Sequence, residues 1–374
     1  MKFTVSSSAL SGRMQAIGRV ISPKNSINIL ECFVFDIKGN TLSLTASDNE
    51  NTLTTTLELV DSEKDVRFCV GAKTVQDAIK EIPEQPLEFF LNEETREITV
   101  VYQNGQYKFM AQSADEYPTP PADTEEVMKL QIPATLLLAG IGRALFATAD
   151  DTLRPVMNGI YFDVKEGGVT MVASDGHKMA CSKALNVPSE TDGAFILPKK
   201  PATLARTLFA KAEGDIEITF SARNAVFRSE GATMNCRLIE GRYPNYASVI
   251  RQDNPNLATV NRAALLSALR RVLIFSSATS ALVKLQIDGG KMTVSSQNID
   301  FSMSAEESLL CDYQGTPLSI GFKGTFLTEL LQNVEGDEIT FQLADASRAG
   351  IIVPVAQPEG EQVQMLLMPM MLNN

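Results

Sequence analysis

"DVKEGGVTMVASDGH" (163–177) has a near copy earlier in the chain, "DIKGNTLSLTASDNE" (36–50), and a more distant one later, "QIDGGKMTVSSQNID" (286–300). Asp48 and Asp175 lie 127 residues apart, and Gln297 takes the same place 122 residues further on. Landmarks outside this stretch keep the period. "FCVGAKTVQDAI", "FILPKKPATLARTL" and "LSIGFKGTFLTEL" each lead a strand into a helix across a lysine, and Lys73, Lys199 and Lys323 are spaced by 126 and 124. Tyr117-Pro118, Tyr243-Pro244 and Met368-Pro369 are spaced by 126 and 125. A period far longer than the 20–50 residues of solenoid repeats marks the repetition of whole domains.

Each copy presents its elements in the same order. "SALSGRMQAIGRVI", "ATLLLAGIGRALFATA" and "RAALLSALRRVLIFS" carry apolar residues at three- and four-residue spacing, which predicts a helix. Short alternating strands follow, broken by Gly-Asn or Gly-Gly turns, then the lysine-led second helix and further strands. "PTPPADTEEVMKL" and "NYASVIRQDNPN" read as linkers. The expectation is an α+β protein of three tandem, similar domains, 1–121, 129–249 and 257–374.

The 374 residues are 44% apolar, enough for real cores, and carry a formal net charge of -12. Taken whole, that charge argues against a nucleic-acid partner, whose phosphates favour a basic surface. Its distribution says otherwise. The six predicted helices hold Arg13, Arg19, Lys73, Lys80, Arg143, Lys199, Lys200, Arg206, Lys211, Arg262, Arg270, Arg271 and Lys323 against only Asp77, Glu81 and Glu329, about +10 in all. Lysine and arginine are good helix formers, but so is glutamate, which is nearly missing from these elements. Helices facing one way would make a basic lining backed by acidic strands and loops. The start "MKFTVSSSAL" lacks the pattern of a secretory signal, and no apolar run approaches the roughly 20 residues of a membrane helix. Five scattered cysteines without a CxxC pair read as buried thiols of a cytoplasmic protein, and a single histidine argues against a zinc site; no cofactor is implied.

That histidine, His177, follows Ser174 and Asp175, the residue types of a hydrolytic triad. A triad requires a nucleophile, a base and an orienting acid brought together in space, and "SDGH" is not a glycine-flanked nucleophile elbow. Asp48 occupies the equivalent place in the first copy with no histidine after it, so the shared Ala-Ser-Asp reads as a strand-to-turn device with aspartate as a local acceptor. From the residues alone, a hydrolase centred on His177 and a hydrogen-bonded structural histidine both stand. A repeat-built scaffold that never encircles DNA is a third reading.

Three tandem copies, the start "MKFTV", "SDGHKMA", "GRYPNY" and the terminal "MPMML" together resemble the bacterial sliding clamps, the beta subunits of DNA polymerase III, over the whole chain. The resemblance implies a non-catalytic processivity factor: a head-to-tail homodimer whose six domains form a ring, helices lining a hole through which duplex DNA passes. It implies DNA-facing groups at Lys24, Lys73, Lys80, Arg154, Lys199 and Lys200. It implies a pocket for short peptides of the polymerase alpha subunit, the clamp loader and other clients. One side would be Met157, Ser174, Gly176, His177, Lys178, Met179, Pro244 and Val249. The other would be Lys323, Phe326, Met368, Pro369, Met370 and Met371. Methionine, flexible and polarisable, suits a site with varied partners. Dimer contacts are implied at Tyr107 and Phe109 on one side and Ile274 and Phe275 on the other. The chain departs from the family at Pro155 and Val156, where aromatic residues occur, at Lys178 (often arginine), Ser248 (basic), Ser280 (aromatic) and in the Asn373-Asn374 extension.

Overall fold

The structure, a computed structural model, describes residues 1–22, 27–120, 127–189, 192–250 and 253–372. Among these are six α-helices: α1 (Ser7–Gly18), α2 (Ala72–Lys80), α3 (Ala134–Leu145), α4 (Lys199–Leu208), α5 (Arg262–Val272) and α6 (Gly324–Asn333). They begin where local chemistry favours it. Ser6 caps α1 by accepting the Ala9 N–H, and Asn261 caps α5 by accepting that of Ala264. Their apolar residues fall on one face, Leu10, Met14 and Ile17 in α1 and Leu265, Leu269 and Val272 in α5, all buried. Burying such side chains contributes about 1.5–3 kcal/mol each. The strands alternate as expected: in Thr41–Ser47, Leu42, Leu44 and Ala46 point inward.

The repeated stretch is a hairpin in all three copies. Lys38 pairs with Thr41, Lys165 with Gly168 and Asp288 with Lys291, so each turn has two residues. The second turn is not the expected Gly-Gly but Glu166-Gly167. Gly168 already lies in the strand, where a Cβ would sit 2.9 Å from the Ala184 carbonyl oxygen.

The chain falls into two compact units, Met1–Ala134 with Lys200–Leu238, and Thr135–Lys199 with Ile239–Asn374. The first unit has a five-stranded sheet in the order Asp61–Ser62, Lys2–Ser6, Pro86–Leu91, Glu97–Tyr102, Gly105–Met110. Its eight-stranded sheet runs Met128–Pro133, Asp215–Phe220, Asn224–Ser229, Ala232–Arg237, Asn51–Glu58, Thr41–Ser47, Cys32–Lys38, Val66–Gly71. Stacked phenylalanines Phe3 and Phe89, with ring centroids 4.6 Å apart, lie in its core.

The second unit holds a twelve-stranded sheet. Gly193–Pro198, Gly159–Lys165, Gly168–Ser174 and Lys178–Leu185 come first, then Glu361–Leu367, Gly350–Pro354, Glu338–Leu343 and Asn256–Asn261. Met303–Tyr313, Lys291–Asn298, Leu282–Asp288 and Leu318–Lys323 complete it. Leu265, Leu269 and Val272 of α5 pack there with Val283, Leu285, Phe322 and Phe341.

One seam occurs twice. The strand 232–237 of the second copy pairs with 51–58 of the first, and 361–367 of the third pairs with 178–185 of the second. At the end of each seam a backbone N–H crosses to the same place: Arg237 donates to the Glu50 carbonyl (3.0 Å) and Met368 to that of His177 (2.8 Å). Arg237 is therefore the counterpart of Met368. Pro244 lies seven residues past its seam and Pro369 one residue past its own. Their 125-residue spacing reflects loop lengths, not equivalence.

Candidate functional site

Ser174 ends one strand and Lys178 opens the next, leaving a turn held by its own side chains. The Ser174 hydroxyl donates to the Lys178 carbonyl (2.9 Å) and accepts the Gly176 N–H (3.1 Å). One Asp175 carboxylate oxygen accepts the N–H groups of His177 (2.8 Å) and Lys178 (2.9 Å), and the other accepts the Lys178 ammonium (2.8 Å). Gly176, at φ +90°, occupies a conformation that side chains disfavour. A triad needs serine to donate to histidine and histidine to aspartate. Here serine and aspartate are spent on the turn. The exposed His177 ring instead faces Phe326, with centroids 6.1 Å apart.

Lys178 is buried and fully engaged. Besides Asp175 its ammonium lies 3.1 Å from Glu329 of α6 and 4.3 Å from the centre of the Phe326 ring. Burial works against charge on both partners, yet the hydrogen bonds between them and the nearby carboxylate prevail. They hold Asp175 below the usual carboxylate range and Lys178 above the usual lysine value. The Lys323 ammonium sits 4.5 Å from the same ring, so two cations share Phe326. The chain end is tied to this wall through its backbone: the Met368 N–H bonds the His177 carbonyl, and Met370 donates to the Gly321 carbonyl (2.8 Å). A Cβ on Gly321 would stand 2.7 Å from the Met370 oxygen, which explains the glycine. Met368 and Met371 are left 44% and 91% exposed.

Not every expected residue meets at that wall. Met179 is buried in a cluster with Val172, Tyr243 and Leu366, beneath Tyr161, which stacks on Tyr243 at 4.7 Å. Pro244 and Val249 are exposed, and Met157 is buried with its carbonyl accepting the Ala149 N–H. Arg154 was expected only on the DNA face. Its Nε bonds Asp151 (2.8 Å), while a Cβ on Gly176 would lie 3.3 Å from its guanidinium, so Arg154 also borders the 174–178 turn. No spacing in the sequence connects those two positions.

Among the other expected DNA-facing groups, Lys24 lies outside the described residues. Lys73 and Lys80 are exposed on α2, with Glu81 3.6 Å from Lys80. Lys199 and Lys200 open α4; Lys199 bonds Asp150 (2.7 Å), while Lys200 bonds Asp48 (2.5 Å) and the Val20 carbonyl (3.0 Å). Within the observed helix bounds ten basic residues stand against Asp77 and Glu329. The expected lining must lose one of them: Arg143 is 6% exposed, its guanidinium buried against Glu361 and bonded to Glu335. It is a structural cation.

Tyr107 and Phe109 are half-buried on the strand 105–110, an edge of the five-stranded sheet with no partner on its outer side among the described residues. Ile274 and Phe275, in a short 3₁₀ turn after α5, are 72% and 37% exposed. The strand 303–313 pairs on one side only through 303–310, and exposed Ile299, Phe301 and Leu310 flank that free edge. Those three were not anticipated: Ile299 and Phe301 lie in the turn before the strand and Leu310 within it, and an exposed apolar residue in either place carries no sequence mark of its own.

Among the described residues, no group of three or more His, Cys, Asp or Glu side chains is placed to hold a metal ion, and no helix is long and apolar enough to cross a membrane. The five cysteines are buried and unpaired with one another, and burial pushes the Cys69 and Cys236 thiols to about 12.

Three domain families match the chain in succession: DNA polymerase III beta subunit, N-terminal domain, over 1–121; central domain, over 131–245; and C-terminal domain, over 247–371. The beta sliding clamp of Caulobacter vibrioides is 26% identical, the alignment taking in 99% of this chain and 100% of that protein. That of Pseudomonas aeruginosa is 25% identical with both chains covered completely. A crystal structure of the Pseudomonas aeruginosa sliding clamp bound to griselimycin matches with a TM-score of 0.93 at 24% identity, again over both full chains. The Bacillus subtilis clamp structure matches at 0.90 and 23%. At such identities the structural likeness speaks for the fold. The three families are consecutive parts of one protein and together span nearly the whole chain, which belongs to the DNA polymerase III beta subunit family, the beta sliding clamps.

Proposed function

We propose that this chain is a non-catalytic processivity factor acting in the cytoplasm, with domains at 1–121, 129–249 and 257–374. Two copies join head to tail into a ring, duplex DNA passes through without sequence readout, and client proteins dock by short peptides. The observation that carries this reading is the repeated seam. The second copy's strand 232–237 adds to the first copy's 51–58, and the third copy's 361–367 adds to the second's 178–185. By the same order, the first copy's 105–110 lacks a preceding copy to join, and the 303–310 stretch of the third copy's strand lacks a following one. Those are the two free edges, and each is flanked by exposed or half-exposed apolar groups. A second chain satisfies both, which makes the interface heterologous. The Tyr107–Phe109 and Ile274–Phe275 patches are the apolar part of that contact.

Client peptides occupy the wall formed by His177, Lys178, Lys323, Phe326 and the chain end. The polymerase III alpha subunit and the clamp loader are the partners this family membership favours. DNA is held topologically, so Lys73, Lys80, Arg154, Lys199 and Lys200 need only shallow phosphate contacts that permit sliding. The test is retention. Loaded on a nicked circle, the protein stays bound and runs off once the circle is cut; equal loss from circular and linear DNA would sink the ring. Aspartate at both Ile274 and Phe275 leaves a folded monomer by light scattering, and a persisting dimer removes those residues from the interface.

A further inference from the structure

α4 opens with two adjacent lysines, Lys199 and Lys200, and has no acidic residue in its first turn. Cations at that end of a helix oppose its dipole. Each ammonium is met by a carboxylate from elsewhere in the chain, and the two carboxylates differ in kind. Asp48 is 9% exposed and also accepts the N–H groups of Glu50 and Asn51, while Lys200 additionally bonds the Val20 carbonyl. That pair is a strut. Asp150 is 89% exposed and reaches Lys199 at 2.7 Å across 49 residues of sequence. Exposed pairs of this sort contribute little to folding, so stability does not account for a carboxylate held on the first lysine of the helix.

We infer that Asp150 is a built-in competitor of the DNA phosphates, a positioning residue that tempers the grip of Lys199 so that the protein slides rather than sticks. The inference rests on Lys199 facing DNA. A phosphate reaching this ammonium competes with the Asp150 carboxylate for its N–H donors and its charge, so up to one contact's worth of counterion release is withheld. With Asp150 swung aside, the phosphate meets less competition for the lysine; with it in place, the phosphate is released quickly to its neighbour along the strand. The Asp48–Lys200 pair, closed off from water on the acid side, does not take part in this exchange.

Anisotropy titrations of the full-length protein with an open-ended duplex oligonucleotide over a range of salt, together with single-molecule diffusion of protein loaded on long DNA, test it. Asp150→Asn binds more tightly, steepens the plot of log K against log salt by about 0.9, and diffuses more slowly, with an unchanged melting temperature. Asp150→Glu behaves as the parent. In a Lys199→Gln background the Asp150→Asn effect disappears. If Lys199→Gln leaves binding and its salt slope as they were, Lys199 does not face DNA and the underlying reading fails. If Lys199→Gln lowers the slope but Asp150→Asn changes neither slope nor diffusion, the tempering role alone is overturned. An Asp150→Asn effect of equal size with and without Lys199 would reduce it to net charge and overturn it as well.

Discussion

The turns at 47–51 and 174–178 are built by the same rule. Ser47 donates to the Asn51 carbonyl and accepts the Asn49 N–H, as Ser174 does with Lys178 and Gly176. Asp48 accepts the N–H groups two and three residues on, as Asp175 does. Even the left-handed residue is matched, Asn49 at φ +79° and Gly176 at +90°. What differs is the pair that follows: Glu50 and Asn51 in the first turn, His177 and Lys178 in the second. The lysine that neutralises Asp48 arrives from α4, far away in sequence, whereas Asp175 finds its lysine three residues on. One backbone device therefore serves as a strut in one place and, in the function proposed above, as the wall of a peptide site in the other. The side chains placed on the turn decide its use, and the turn itself is indifferent.

The seams beyond the two turns differ more sharply, and there the largest effect is expected. At the second seam Arg143 is buried against Glu361, both under a tenth exposed, with Ser182 also hydrogen-bonded to Glu361. Glu361→Gln leaves the buried guanidinium with only the exposed Glu335 as counter-charge and should cost up to about 3–5 kcal/mol. At the first seam Lys200→Gln leaves the 9%-exposed Asp48 with the N–H groups of Glu50 and Asn51 and the Asn51 amide as donors, so it should cost less. Denaturant unfolding of the two variants checks this, and equal losses would erase the distinction between the seams.

Next in size is the pocket. Removing residues from Met368 onward takes away the exposed methionines while leaving the 361–367 strand in its sheet. A client peptide carrying a glutamine followed by bulky apolar residues should lose about 2 kcal/mol or more of affinity, with the dimer intact. His177→Ala should weaken the same peptide, while Glu50→Ala, at the equivalent place in the first turn, should not. Calorimetry decides; unchanged affinity in both the truncated protein and His177→Ala would remove this wall from the peptide site.

The smallest effect separates the turns by pH. Asp175 titrates below its ordinary value, so its contribution is complete above the unfolded carboxylate value and is lost as pH falls through the lowered one. Lys178 titrates above its ordinary value, so its contribution is complete below the unfolded lysine value and is lost as pH rises through the raised one. Lys178→Met should remove the Lys178 share of the alkaline loss, leaving that of the buried thiols and tyrosines, and move the acid loss to higher pH. Denaturation profiles from acid to alkaline pH read both limbs, and an alkaline limb that survives unaltered would assign it to another group.

The sequence made some of this legible. The period, the hairpin in each copy, the apolar faces of the helices and the architectural use of Asp48 and Asp175 are local patterns, and local patterns repeat visibly. Register is not local. Equating Pro244 with Pro369 failed because spacing cannot tell a longer loop from a shifted strand, and only the bonds from Arg237 and Met368 fix the correspondence. Arg143 looked like part of a basic lining because its partner Glu361 lies 218 residues away. Lys178 likewise read as a pocket cation across from Phe326, with no sign that Glu329 would pair with it. Arg154 beside Gly176 joins two elements that only the folded sheet brings near. Lys24, Asn373 and Asn374 lie outside the described residues.

The two free strand edges carry a further consequence. The repeated seams within a chain join parts of one molecule, and tethered parts meet at an effective concentration in the millimolar range. Two separate chains meet only at their own concentration. If that is micromolar, the seam between copies starts about a thousandfold behind, or about 4 kcal/mol. Burial of Ile274 and Phe275, at about 1.5–3 kcal/mol each, is of the size needed to make up the difference. In the proposed ring the untethered seam is then the one that parts first, and how long an assembled pair stays closed is written in those few apolar side chains rather than in the sheets that make up most of the protein.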